Sequence, residues 1–412
     1  MIKRSYSSIS VFAWLAIGLL IAFAILCYNF KDMQQIALMY CLPGAFICSI
    51  LSTTYYKISK CLKLLIFLYL WHVVCTPFAI DMELAYNQLI RLAACFLMII
   101  SCYLLVQRPK LTPLLYIVFI ILFLNMIIYA KNNILSEDFD ISRNRLNDDV
   151  LNANTLGYFS FMITFTIYIF PFIINNKMWV RFWRIMFILT PLWSFIIAIL
   201  TASRQIMAIQ LPLIVILLYL RYLNNRRFAV KLYSIIIGII LIGVFFNRIK
   251  GIYESSLLHE RTEISLDEDN RFRHFRNAIH VGITHPFVGV GPNNYSYYVY
   301  HRAGISHSSY FELFANTGFP GLIIFCFMLW YFVRSQWKRY KLTKNVLFLY
   351  FLVFGVFYVF DNIFYVFYVD PWLISFFFLV ESHSETLYSK FYIRNTNYKS
   401  TWRYIGQNQH FH

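Results

Sequence analysis

The sequence predicts an all-α polytopic membrane protein with about twelve transmembrane helices and one large helical loop outside the bilayer. Three observations carry that prediction. The 412 residues are 60% hydrophobic and only 13% charged, against roughly 45–50% apolar and about 25% charged in ordinary soluble domains. The apolar residues recur in runs of about 17–25, the length an α-helix needs to cross a hydrocarbon core of ~30 Å. The polar residues gather in one stretch, Arg271 to Gly321, which opens with RFRHFRNAIH and continues through VGVGPNNY to SSYFELFANTGFPG.

The runs lie near 9–29, 34–53, 62–80, 88–106, 111–130, 153–175, 184–201, 204–222, 231–247, 319–336, 345–361 and 364–381. The first follows Lys3 and Arg4 as a signal peptide would, but it is membrane-length and lacks an A-x-A cleavage pattern, so a retained span is expected. The last two read as a tight hairpin around Asp361-Asn362. The chain then divides into nine helices over 1–247, with an acidic outside loop at 131–151, a large loop over 248–318, three helices over 319–382 and a basic tail over 383–412.

A net charge of +17 raises nucleic acid as a partner, but the basic residues form short clusters between apolar runs, such as Lys57, Lys60, Lys63 and Lys338, Arg339, Lys341. Such clusters set topology, and no nucleic-acid stripe forms. With the N-terminus in the cytoplasm, most of the 36 lysines and arginines fall on the cytoplasmic side, and only Glu381 and Glu385 of the 19 acids do. Both termini are expected inside and the large loop outside. The eight cysteines sit in or beside apolar runs without CxxC spacing, which points to neither disulfides nor zinc.

The large loop carries six of the ten histidines. Asp267-Glu268-Asp269-Asn270 is a cap-competent helix start, and Phe272, Phe275 and Ile279 follow at i, i+3, i+7 as an apolar stripe. Arg273, Arg276 and His280 take another face, with Arg271 in the first turn. Pro286 and the glycines of VGVGPNNY break that helix, Ser306 to Asn316 reads as a second, and Thr317-Gly318-Phe319-Pro320 begins the next span. The loop is expected to lie on the membrane surface with Tyr295, Tyr297, Tyr298 and Tyr300 at the interface.

Two residues stand out as candidate chemistry. Arg204, in TASRQ between nearly contiguous spans, costs free energy near hydrocarbon. It either snorkels to headgroups or shares an anion site with the loop arginines, and guanidinium forks match pyrophosphate oxygens. His307 either takes a proton from a sugar hydroxyl near neutral pH, as glycosyl transfer to an alcohol requires, or is an ordinary polar residue at a loop-to-helix junction. Arg273, Arg276, His280, Asn293 and Glu312 complete the candidate set. Asp138-Phe139-Asp140 spells the D-x-D of nucleotide-sugar transferases but lies in an acidic loop without an α/β domain around it. The pairs His301 with His307 and His280 with His285 lack a third ligand in register, so no metal is expected.

Three pieces taken together, over roughly 150–325, resemble the bacterial O-antigen ligase and polymerase superfamily, membrane glycosyltransferases with a C-type fold. They are Ala202-Ser203-Arg204-Gln205 opening a span; Arg271, a short helix, then Pro286 through GVGPNNY; and His307 through Glu312, Gly318 and Gly321. The resemblance implies a glycan donor on undecaprenyl pyrophosphate in the inner membrane, taken from the periplasmic side. Arg204 and Arg271 match the arginines that engage the diphosphate, and His307 matches the histidine proposed to activate the acceptor. It implies an inverting transfer without metal, ATP or cofactor, alongside other surface-polysaccharide assembly proteins; ligase and polymerase share these motifs, and ligation to lipid A-core is slightly favoured over extension of another lipid-linked repeat. Phe275 and Ser308 depart from the family, which often has Trp and Asn there. A transporter or flippase of lipid-linked glycan would also be basic and polytopic, but would be expected to show inverted repeats or mid-membrane charges.

Overall fold

The computed structural model describes residues 10–29, 33–53, 58–134, 153–223, 250–263, 270–302 and 304–407, with isolated positions from 227 to 248. Every regular element among them is helical. The spans begin with α1 (Val11–Asn29), α2 (Gln34–Leu51), α3 (Lys60–Cys75), α4 (Met82–Val106) and α5 (Thr112–Ile134). They continue with α6 (Ala153–Ile173), α7 (Lys177–Thr201) and α8 (Ile206–Leu223). Three short loop helices follow, α9 (Leu257–Glu263), α10 (Asn270–Thr284) and α11 (Tyr295–Tyr300), then α12 (Ser309–Thr343), α13 (Val346–Asp361) and α14 (Pro371–Gln407). Among the described residues, seven helices are long and apolar enough to cross a membrane, and Val11–Cys27, Thr112–Ile128 and Val346–Asp361 are shorter apolar helices. This is the expected all-α polytopic membrane protein. The expected span at 231–247 lies largely outside the described residues, and Asp138-Phe139-Asp140 and the helix start at Asp267–Asp269 lie wholly outside them.

The end of the chain differs from the sequence reading. Asp361 closes α13, but no tight hairpin follows. Residues 362–370 form a connection with a 3-10 turn at Phe367–Val369, and α14 starts only at Pro371. Its start is fixed by Asp370, whose Oδ1 accepts from the backbone N–H groups of Trp372 (2.9 Å) and Leu373 (3.0 Å), satisfying donors that a helix N-terminus leaves open. The tail expected after 382 stays helical to Gln407.

The first turns of α14 are the centre of the bundle. Leu373, Ile374, Phe376, Phe377, Phe378, Leu379 and Val380 are all fully buried, so this helix is hydrophobic all round because its neighbours enclose it. Aromatic side chains fill the space between helices, with Phe376 edge-on to Phe119 (5.0 Å) and Tyr358 stacked on Phe377 (4.8 Å). Such pairs add about 0.5–1.5 kcal/mol beyond area burial. Gln210 Nε2 of α8 lies within hydrogen-bond distance of the Ser160 (2.9 Å) and Thr164 (2.7 Å) hydroxyls of α6 and the Ser194 hydroxyl (2.7 Å) of α7, the kind of interhelical hydrogen bonding that replaces hydrophobic drive inside lipid.

Candidate active site

The site is built where the loop meets a break in α12. Gly318 takes φ 69° and ψ −169° inside that helix, and Pro320 has no N–H to offer the Asn316 carbonyl. The polar groups released there are taken up by the glycine turn of the loop. Val290 N–H donates to the Ala315 carbonyl (3.0 Å), Gly291 N–H to Asn316 (3.1 Å), and Phe319 N–H reaches back to Pro286 (2.7 Å). Trp71 of α3 donates its indole N–H to the Thr317 carbonyl (2.9 Å).

That docking is so close that side chains are excluded. A Cβ on Gly291 (φ 91°) would lie 2.5 Å from Ala79 Cα, and one on Gly318 would lie 2.5 Å from Phe287 backbone. Asn294 then clasps the start of α4, accepting from Asp81 N–H (2.7 Å) and donating to its carbonyl (3.0 Å). Asn293 beside it is half-buried with a left-handed backbone, φ 58°.

The helix α10 packs on α12 through Phe275, Ala278, Val281 and Gly282, all buried. The expected stripe is therefore rotated: Phe275 belongs to it and rests on Phe311 at 4.9 Å, but Phe272 is exposed and Ile279 half-buried. Gly282 is needed because the Phe314 ring occupies the space of a side chain there. Arg273, Arg276 and His280 are exposed, as a separate face, and Arg273 Nη2 donates to Asn270 Oδ1 (2.9 Å) in the first turn. Arg271 and His274, three residues apart and so on one face, are both half-buried.

The tyrosines do not form an interfacial face. Tyr295 is fully buried and donates its hydroxyl to the His274 carbonyl (2.8 Å). Tyr300 is half-buried, its ring 5.0 Å from His274 and its hydroxyl accepting from Asn277 Nδ2 (2.8 Å). Of the four, only Tyr298 is exposed. Burial, the largest effect, raises the Tyr295 phenol well above its ordinary pKa, which keeps it a neutral donor.

His307 sits on a strained turn. Its φ is 63°, and the turn is held from beneath by Glu312, which is 2% exposed. The Glu312 carboxylate accepts from the Ser306 N–H and from Asn316 Nδ2 (2.8 Å), while Asn316 Oδ1 accepts from the N–H groups of Asn294 (3.1 Å) and Tyr295 (2.7 Å). Ser308 opens α12, and Ser309 is anchored on Asn362, donating Oγ to its side-chain oxygen (2.6 Å) and N–H to its carbonyl (2.9 Å). Glu312 thus lies under the turn, where it fixes the direction of His307.

The structure brings the three motif pieces together. The His307 ring lies 5.8 Å from that of His274, edge-on, one helical turn past Arg271. Ala202 (φ 45°) turns the chain out of α7, Arg204 follows half-buried, and Gln205 Nε2 donates to Asp361 Oδ1, next in the chain to the Asn362 that anchors Ser309. Non-glycine residues with left-handed backbone among those described are Ala202, Asn293, His301, His307 and, elsewhere, Lys344. Strain of this kind persists only where surroundings over-determine it and clusters at functional sites.

His274 is the residue that motif reading missed. Its pKa is lowered from 6.5, first by burial and then by the charges of Arg273 and Arg302, so a neutral imidazole faces His307 under an excess of positive charge. The available signal was its i+3 spacing from Arg271. Such a grouping of side chains suits an anion held beside a proton acceptor.

A family model described as O-antigen ligase matches residues 187–326. That span contains Arg204, Arg271, His274, His307 and the break in α12. No curated protein matches the chain.

Proposed function

We propose, from the premise that this chain belongs to the O-antigen ligase and polymerase superfamily through residues 187–326, that it is a glycosyltransferase moving a preassembled glycan from undecaprenyl pyrophosphate to a sugar hydroxyl. The observation that carries the reading is the meeting of His307 with the α10 face that bears Arg271 and His274. Arg271 and Arg204 hold the donor diphosphate by paired charge-assisted hydrogen bonds, each worth about 1.5–3 kcal/mol. His307 accepts the proton of the acceptor hydroxyl as its oxygen attacks the anomeric carbon. The bond from that carbon to the diphosphate oxygen breaks on the opposite face, and undecaprenyl pyrophosphate leaves with the electron pair, so configuration inverts. The arginines meet the charge that develops on the leaving group, where a metal would otherwise serve. His274 and the Glu312 network position His307.

The topology that fits places the protein in the bacterial inner membrane, termini in the cytoplasm and the loop over 248–318 in the periplasm, where the donor glycan is displayed. Lipid A-core is the acceptor we favour. Purified protein given the lipid-linked glycan with each acceptor separately tests this: product on lipid A-core is expected, and product only on a second lipid-linked repeat makes it a polymerase. Loss of transfer by more than about a hundredfold is expected for His307→Ala. For Arg271→Ala and Arg204→Ala, affinity for a polyprenyl diphosphate analogue should fall about tenfold or more. No transfer by the wild type to either acceptor, with flipping of the lipid-linked glycan across vesicles, would make it a transporter.

A further inference from the structure

A second feature lies at the other end of the bundle. Lys60 and Lys63 on α3, with Leu64 and Phe67 below them, face Phe327 and Tyr331 of α12 across a groove of about 230 Å³. The other end of α3 runs into the turn at Thr76–Phe78, beside Ala79, against which Gly291 of the loop packs. Sixteen residues of helix at 1.5 Å each separate the two ends by roughly 24 Å, so the groove opens on the leaflet opposite the candidate active site.

The groove is graded along its length. At its mouth both lysines are exposed, and Lys60 Nζ lies 5.5 Å from the Tyr331 ring. Further in, the lining is apolar, with Phe67 at 62% exposure and Phe327 at 49%. The same face of α12 continues past Phe327, which stacks on Trp330 at 5.2 Å, to Arg334, whose guanidinium sits 4.8 Å from the Trp330 ring. Basic and aromatic side chains together mark the headgroup level of a bilayer. Two ammonium groups above an apolar slot between two spans match one kind of molecule, a negatively charged headgroup with an acyl chain below it.

We infer that the groove between α3 and α12 binds an anionic phospholipid, its headgroup phosphate on Lys60 and Lys63 and an acyl chain along Leu64, Phe67 and Phe327. In the topology proposed above this is the cytoplasmic leaflet, though the binding does not depend on the enzymatic reading. The full-length protein, reconstituted in nanodiscs of mixed phosphatidylglycerol and phosphatidylcholine of identical chains, is released into native mass spectrometry and the retained lipids are counted. The wild type should retain phosphatidylglycerol in preference, and Lys60→Gln with Lys63→Gln should lower that preference about thirtyfold. Phe327→Trp narrows the slot and keeps both charges, and should reduce retention of the lipid. Equal retention of the two lipids by the wild type, an unchanged preference in the double-lysine variant, or full retention in Phe327→Trp would each overturn the inference.

Discussion

At the scale of residues, His274 couples the cleft to pH. Burial and the neighbouring Arg273 and Arg302 charges lower its pKa from 6.5, so folding disfavours the protonated ring. Above 6.5 both folded and unfolded forms are neutral and nothing is lost. As pH falls below 6.5 the unfolded chain takes up a proton that the folded site resists, and stability declines until the folded pKa is passed. The opening free energy of α10, read from hydrogen exchange after division by the intrinsic amide rate at each pH, should therefore fall between pH 7 and pH 5 in the wild type, and that dependence should flatten in His274→Gln. An opening free energy that ignores pH, or that keeps its slope in the variant, would assign the effect to another group. Arg204, Arg271 and His307 stood out in the sequence as candidates because their residue types carry chemistry and their motifs are local. His274 was not singled out because its role depends on His307, 33 positions away, and Tyr295 read as interfacial because periodicity cannot distinguish lipid from a protein neighbour. Glu312 stood in the candidate set, but its place beneath the turn depends on Asn316 and Ser306 converging in space.

The elements of the loop owe their arrangement to Asn316. One side-chain oxygen accepts two backbone N–H groups at the start of α11, and the amide nitrogen holds Glu312. Asn316→Ala strands those buried groups, at about 1–3 kcal/mol for each left unpaired. Limited proteolysis in detergent should then cut within residues 291–302 at a rate at least tenfold above wild type, while the spans stay intact. An unchanged cleavage rate would mean that the glycine turn alone holds the loop. The sequence announces the breaks at Pro286, Gly289, Gly291, Gly318 and Pro320, and the helices between them. What it does not announce is that the first set of breaks docks into the second, since that pairing runs through backbone atoms common to every residue. The start of α14 was misplaced for a related reason. Residues 364–369 are apolar enough to read as helix, and only the capping oxygen of Asp370 shows where the helix begins.

For the molecule as a whole, the polytopic all-α character follows from hydropathy alone, but which helix is central does not. Both a lipid-facing and an enclosed helix are apolar, and the enclosure of α14 is visible only from the burial of every side chain from Leu373 to Val380. Far from the cleft, α12 and α14 are tied by Arg339, which donates to Ser384 Oγ (2.8 Å) and Glu385 Oε1 (2.8 Å). Arg339→Met should lower unfolding stability by about 2 kcal/mol, and adding Glu385→Met should recover much of it, because a lone buried charge costs more than a missing pair. Denaturant titration in mixed micelles reads both, and a double variant no better than the single would refute the pairing. Transfer activity should persist in the double variant. The three backbone bonds among Pro286, Val290, Gly291 and the break in α12 have a different kind of consequence. They carry no side-chain identity, so replacing residues one at a time by alanine leaves them whole at every position except the glycines. The attachment of the loop to the bundle is thus written also in chain length and in where prolines are absent, and a single inserted residue between Pro286 and Gly291 shifts that register.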